Sequence, residues 1–316
     1  MVHQTPQLNN PTAVALGYFD GVHLGHLAVI GAAVARAKEG LVPAAFTFRT
    51  GGASPRKKQG AAALSSPEEK LSLLTQAGIM RVEDPDFSTF QGMTPEAFVR
   101  DFLVGVIKAK VLCCGADFRF GKGACAGVEE LRALSAPFGV EVCVVPAVIC
   151  QGSPVSSTRI REAIAEGDME LAARMLGRCY SFAEPVVEGK RLGRRLGFPT
   201  INQRLPAGRS LPPQAVYAAW VQTPDGVWRK GVCNLGSQPT VEGREPLAET
   251  FILDFQGDLY GHVVRLAPWQ KLRDICRFES VEALRAAVLE NAAQAQQVLA
   301  GSFPKEGLGI LPETKA

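Results

Sequence analysis

The sequence predicts an α/β protein of two domains. One is an N-terminal parallel sheet with helices on both faces, and the other is a small C-terminal antiparallel β-barrel followed by a helix. Three observations support this. Strand-like and helix-like stretches alternate over the first ~180 residues, the pattern of crossover units. From residue 182 to about 267 the chain is short β-like runs broken by Gly and Pro, the pattern of a barrel. A last apolar-periodic stretch, VEALRAAVLENAAQAQQVLA, opens at Ser280 and reads as a helix.

Each element has its own signal. Thr12 to Leu16 is an apolar, β-branched run that reads as a buried strand. LAVIGAAVARAKEG, rich in Ala and Leu, reads as the first helix. After it come the strand PAAFTF (43–48), the helix SPEEKLSLLTQAG, the strand IMRV, the helix TPEAFVRDFLV and the strand VLCCG. Two of these helices open with a capping residue followed by proline, Ser66–Pro67 and Thr94–Pro95. VEELRALSAPFG and EVCVVPAV add a further helix and strand. This arrangement is Rossmann-like, and ligands in such sheets bind at the carboxyl ends of the strands. In the second domain the runs are FAEPVVEG, AVYAAWVQT, GVWRKGVCNLG, AETFILDFQG and LYGHVVRLA, with TPDG at 223–226 as a hairpin turn. The expected boundaries are 1–181, 182–305 and a loose tail at 306–316, with a mobile loop from Thr50 to Ala63.

Composition narrows the class. The chain has 316 residues, 47% hydrophobic and 21% charged, with a net charge of +3. That charge is too small to argue for nucleic acid or a membrane surface. No apolar run approaches the ~18 residues of a membrane span, and the start MVHQTPQLNNP lacks the pattern of a signal peptide. The cytoplasm is therefore the expected location. The 8 cysteines form no CxxC pair and read as packed thiols rather than metal ligands or disulfides.

The chemistry is concentrated in GYFDGVHLGH, residues 17–26, which holds His23 and His26, two of the chain's 4 histidines. Gly17, Gly21 and Gly25 allow a tight turn and close approach to a ligand. The turn lies between a strand and a helix, where backbone N–H groups and the helix dipole attract phosphate. SSTRIR (156–161) adds the hydroxyls of Ser156, Ser157 and Thr158 and the guanidinium groups of Arg159 and Arg161 at another helix start. GADFRFGKG (115–123) is a third glycine-rich turn, though not a Walker A loop. The first of these motifs resembles the signature of HxGH nucleotidyltransferases, which move a nucleoside monophosphate from a triphosphate to an acceptor. All three, with LGRCY at the junction, occur in the order and spacing of bacterial bifunctional riboflavin kinase/FAD synthetase, the family this chain resembles.

In the second domain, GKRLGRRLGFPTIN (189–202) reads either as a flexible basic loop or as a phosphate-covering loop. Its Thr200 hydroxyl and Asn202 carbonyl are hard oxygen donors suited to Mg²⁺. The segment is similar to the family's kinase motif, as are GVCNLGSQPT (231–240) and AETFILDFQGDLYG (248–261). The resemblance implies ATP as co-substrate, Mg²⁺ as cofactor, and FMN and FAD as products. It implies catalytic roles for His23, His26 and Arg161 in adenylyl transfer and for Glu249 as general base on riboflavin. It places ATP or phosphate at Gly17, Phe19, Asp20, Gly21, Gly25, Asp117, Ser156, Ser157, Thr158 and Arg159 in the first domain. In the second it places them at Gly189, Gly193, Gly197, Phe198, Pro199 and Asn234, with Thr200 and Asn202 toward the metal. The partners implied are small molecules, and the oligomeric state is open.

This chain departs from the family pattern at four places: Arg49 to Gly52, where a Phe-x-Pro-x-Pro turn is usual, Glu184 and Ala215 at glycine positions, and Ile275 at an acidic one. Three other readings stand beside the bifunctional one: retention of a single activity, an HxGH transferase for another phosphorylated acceptor, and a non-catalytic flavin-binding regulator.

Overall fold

The structure is a computed structural model that describes residues 10–49, 61–189, 193, 197–240 and 243–301, with the backbone alone at 237–240 and 243–246. Most of the expected loop at 50–63, the tail at 306–316 and six residues of the basic loop after Gly189 lie outside the described residues. The chain folds as two compact units, one running to Ser157 and the other from Thr158 to Glu306.

The first unit is built on five parallel strands, β1 (Thr12–Leu16), β2 (Val42–Phe46), β3 (Arg81–Glu83), β4 (Ala109–Gly115) and β5 (Glu141–Val145). Their order across the sheet is β3-β2-β1-β4-β5, so the direction of winding reverses between β1 and β4. Period-two alternation sends Val14, Leu16, Ala44, Phe46 and Leu112 to one face and Ala13, Ala15, Ala45, Val111 and Cys113 to the other. The first set packs on Phe98 and Leu103 of a π-helix (Phe98–Val106) and on Leu131. The second packs on Leu27 and Ile30 of helix α1 (Leu24–Ala35) and on Leu74 of α2 (Pro67–Gln76). Both faces are covered, which is why all five residues of β1 are buried. Leu131 belongs to α3 (Val128–Ser135).

Two sequence readings shift in detail. The strand expected at IMRV begins at Arg81 and ends at Glu83. The helix expected from Thr94 is α-helical only over Pro95–Ala97 and continues as the π-helix. Both proline-marked starts hold: Thr94 accepts from the amide of Ala97 at 3.2 Å, and Ser66 from that of Glu69 at 3.1 Å. The Glu69 carboxylate accepts in turn from the Ser66 amide at 3.1 Å, completing a capping box.

The unit closes with a small hairpin, β6 (Ile149–Cys150) and β7 (Ser153–Pro154). The second unit has helices α4 (Ser157–Glu166) and α5 (Met169–Leu176) and a closed antiparallel barrel. Its strands are β8 (Phe182–Val187), β9 (Thr200–Arg204), β10 (Ala215–Gln222), β11 (Trp228–Thr240), β12 (Gly243–Ile252) and β13 (Val263–Arg273), in the cyclic order β10-β11-β12-β9-β8-β13. Tyr217, Ala219 and Val221 of β10 point into the barrel with Phe182 and Leu266. Val216, Ala218 and Trp220 point outward beneath Ala295 of the terminal helix α6 (Val281–Val298) and Leu299 just after it. This double burial accounts for the unbroken apolar run AVYAAWV. The TPDG turn forms between β10 and β11, with the Gly226 amide donating to the Thr223 carbonyl at 2.9 Å. Pro199 and the glycines before it read as loop, yet Thr200 opens β9, paired with β12. Ala215 is fully buried at the start of β10, and the Glu184 carbonyl accepts from Gln203 Nε2 at 2.8 Å.

Removing the cap in Ser66→Ala is expected to lower the stability of the first unit by about 1 kcal/mol. A urea titration followed by circular dichroism reads this as an earlier first transition with an unchanged slope.

Candidate functional sites in the two units

The turn after β1 leads directly into the first site. Phe19 (φ 56°), Gly21 (φ 80°) and Val22 (φ 38°) all adopt left-handed backbone, strained for the two non-glycine residues and the kind of outlier that collects at functional sites. Asp20 holds the turn. Its buried Oδ1 accepts from the amides of Leu64 at 2.9 Å and Ser65 at 3.3 Å. The Gly21 amide donates to Ser65 Oγ at 3.2 Å, and Ser157 Oγ donates to the Asp20 carbonyl at 3.1 Å. Thus Ser157 joins the turn across 137 residues of sequence.

His23 is the N-cap of α1, and its Nδ1 accepts from the His26 amide at 3.2 Å. In the neutral ring that bond puts the remaining proton on Nε2, which becomes a donor for an oxyanion. The two imidazoles stack with centroids 3.5 Å apart and planes at 14°, and Phe19 meets His26 edge-on at 5.3 Å. The glycines are explained by space. A Cβ on Gly17 would lie 2.8 Å from the Phe19 ring, and one on Gly25 only 3.2 Å from the His23 ring. Ser156 and Ser157 end the first unit, whereas Thr158, Arg159 and Arg161 follow on α4, grouped with the second unit. Asp117 is exposed in the turn after β4, where a Cβ on Gly115 would lie 3.0 Å from its Oδ1.

Beside this turn lies a wall of half-buried rings, of which only Tyr18 belongs to a motif read from the sequence. Tyr18 meets Phe48 at 4.8 Å, and Phe48 meets Phe87 at 5.3 Å and Phe90 at 5.4 Å. Behind the wall Lys70 is buried on α2, with Thr47 and Asp84 as partners. Arg49, the first departure from the expected turn, is ion-paired to Asp86 at 3.6 Å and Asp84 at 4.0 Å; the rest of that departure lies outside the described residues.

The second site is set by strand register. Asn234 of β11 pairs with Glu249 of β12, which pairs in turn with Asn202 of β9, so one row across three strands carries two amides and a carboxylate. Thr200 Oγ1 donates to Glu249 Oε1 at 3.1 Å. Gly189 leaves room for the Asn202 side-chain amide, with which a Cβ there would collide. Gly193 does the same for the Phe198 carbonyl, 2.5 Å from its hypothetical Cβ, and the Phe198 amide donates to the Gly193 carbonyl at 3.0 Å. Gly197 is left-handed (φ 88°) and exposed, as is Pro199, while Phe198 is buried. A cavity of about 170 Å³ opens here, lined by Gly193, Phe198, Thr200, Asn234 and Glu249 from the expected set. Arg273, Ile275, Phe278, Leu284, Val288 and Asn291 add to its wall, and of these the sequence singles out only Ile275, as a departure from the family pattern. Arg273 Nε donates to Asn291 Oδ1 at 3.0 Å, a link between β13 and α6 that no local pattern announces.

Among the described residues no group of three or more His, Cys, Asp or Glu is placed to hold a metal. Thr200 and Asn202, the pair expected from the sequence to face Mg²⁺, carry the hard oxygen atoms that such an ion takes, and both belong to β9. None of the eight cysteines forms a disulfide. Burial pushes the thiols of Cys113, Cys179 and Cys233 up to about 12, which makes them packing groups, while Cys125 and Cys276 are exposed. No described helix is long and apolar enough to cross a membrane.

The comparisons with known proteins fall on the same two regions. The FAD synthetase family model matches residues 5–159 and the riboflavin kinase model residues 176–299. The bifunctional riboflavin kinase/FMN adenylyltransferase of Haemophilus influenzae is 32% identical over 93% of this chain and 96% of its own length. That of Bacillus subtilis is 31% identical, covering 90% and 91% of the two chains. A crystal structure described as a macrolide-efflux protein from Streptococcus pneumoniae shares the fold with TM-score 0.80 and 29% identity over 93% of this chain and 95% of that one. With two family models in tandem and full-length relatives of one kind, the chain belongs to the family of bifunctional riboflavin kinase/FMN adenylyltransferases, transferases that use ATP and yield FMN and FAD.

Proposed function

We propose that the two activities are divided between the two sites, phosphorylation of riboflavin in the barrel and adenylylation of FMN at the HxGH turn. The boundaries are those read from the sequence, 1–181 and 182–305. The observation that carries the division is the row Asn234–Glu249–Asn202 with Thr200 bonded to the carboxylate. It sets a base among hydroxyl and amide side chains, far in sequence from the imidazole pair.

In the barrel, Glu249 takes the proton of the riboflavin 5′-hydroxyl as the hydroxyl oxygen attacks the γ-phosphorus of ATP and ADP leaves. Thr200 fixes the carboxylate by donating to Oε1. Thr200 and Asn202 also present oxygens for Mg²⁺, which when bound neutralises charge on the phosphates. Gly189, Gly193, Gly197, Phe198, Pro199 and Asn234 shape and line the phosphate side. Positioning and charge stabilisation supply most of the catalysis of phosphoryl transfer.

At the turn, a phosphate oxygen of FMN attacks the α-phosphorus of ATP and pyrophosphate leaves. His23 donates from Nε2, and His26, Ser157, Thr158 and Arg161 add donors to the charge that develops on the departing group. Gly17, Phe19, Asp20, Gly21, Gly25, Asp117, Ser156 and Arg159 complete the nucleotide contacts. The aromatic wall at Tyr18 and Phe48 offers a flat apolar surface to the flavin ring. The cytoplasm is the proposed location, a reducing compartment that suits eight cysteines outside any disulfide. The proposed partners are small molecules rather than nucleic acid.

His26→Ala is expected to cut FAD formation from FMN by roughly 10²-fold or more while riboflavin phosphorylation stays near its original rate. Glu249→Gln is expected to do the reverse, by roughly 10²–10⁴-fold. Loss of both activities from either variant with an intact circular dichroism spectrum contradicts the division. Gly189→Ala, which forces a methyl against Asn202, is expected to slow phosphorylation and leave adenylylation alone, as the two rates measured separately will report.

A further inference from the structure

Lys70 lies in the second turn of α2, where an amphipathic helix commonly shows its lysines to water, yet its side chain is only 8% exposed. Its Nζ donates to Thr47 Oγ1 at 3.1 Å, to the Phe48 carbonyl at 3.1 Å and to Asp84 Oδ1 at 3.4 Å. It also sits 5.4 Å from the centre of the Tyr18 ring. Thr47 Oγ1 in turn donates to the Tyr18 carbonyl at 2.8 Å. One ammonium thus gathers the residues that follow β1, β2 and β3, three parallel strands that end side by side.

A buried ion pair is a poor device for stability alone, because apolar side chains of similar size often do as well. What an ammonium adds is direction: three donors at fixed points on two segments, with the Tyr18 ring of a third beside them. The segments it ties carry Tyr18 and Phe48, two rings in contact beside the phosphate turn. Burial lowers the Lys70 pKa and Asp84 opposes the shift, consistent with a charge kept in place by its carboxylate. We propose that Lys70 is a positioning residue for adenylyl transfer, holding Tyr18 and Phe48 where the phosphorylated acceptor docks. The inference rests on the assignment of adenylyl transfer to the first unit.

The test uses the full chain with K70M and, because a lone Asp84 would be left buried, the neutral double variant K70M/D84N. Initial rates are measured with FMN varied at saturating ATP, with ATP varied at saturating FMN, and with riboflavin phosphorylation as a separate readout. In the double variant KM for FMN is expected to rise about tenfold, the scale of one charge-assisted hydrogen bond, while KM for ATP and kcat stay within about twofold. An unchanged KM for FMN in the folded double variant overturns the proposal. So does an equal rise in both KM values with a fall in kcat, the mark of general loosening. If the unsubstituted chain makes no FAD from FMN, the assignment beneath the proposal fails instead.

Discussion

The buried carboxylate of Asp20 is the constraint on which the turn after β1 depends. A carboxyl group out of water must be hydrogen-bonded or it destabilises the fold. Here it takes two amides from residues 64 and 65, and the backbone carbonyl of the same residue takes the hydroxyl of Ser157. Those bonds fasten the turn to two distant segments and hold Phe19 and Val22 in left-handed backbone. The strained path then delivers His23 to the helix N-terminus, where it caps α1 and stacks on His26. Imidazole placement therefore follows from a carboxylate a few residues upstream and from the segments it recruits.

The barrel reaches a comparable end by different means. No strained turn carries Glu249. Antiparallel register does, by aligning Asn234, Glu249 and Asn202 across three strands. A one-residue slip would send each of these side chains to the other face, so the inner packing of Tyr217, Cys233 and Ile252 that fixes the register also fixes the site. Glycines serve both sites by absence of a side chain. Gly25 makes room for a His23 ring, and Gly189 and Gly193 make room for Asn202 and the Phe198 carbonyl. The two candidate sites share a proposed phosphate chemistry but not an architecture.

The fold class is legible because each domain announces its own period, and both proline-marked caps form where Ser66 and Thr94 stand. His23, His26 and the glycines around them are legible because their geometry is local. What the sequence conceals is long-range. Ser65 meets Gly21 across 44 residues and Lys70 meets Thr47 across 23, and nothing in SPEEKLSLL marks one lysine as buried. The aromatic wall is spread over three segments, and Arg273 and Asn291 meet only because α6 packs on the barrel. The strand at Thr200 is hidden because Pro199 and the glycines before it read as loop, while its partner β12 lies about 47 residues on. The π-helix has no pattern distinct from an α-helix in FVRDFLVGV.

The proposed division gives one chain two separate phosphate sites that act in sequence. Its most direct test is a time course of the purified chain with riboflavin, ATP and Mg²⁺, with flavins and nucleotides separated at each point. FMN should appear first and FAD after it, each FAD accompanied by one ADP and one pyrophosphate. FMN that accumulates without FAD under excess ATP, or riboflavin that stays unchanged, would contradict the account.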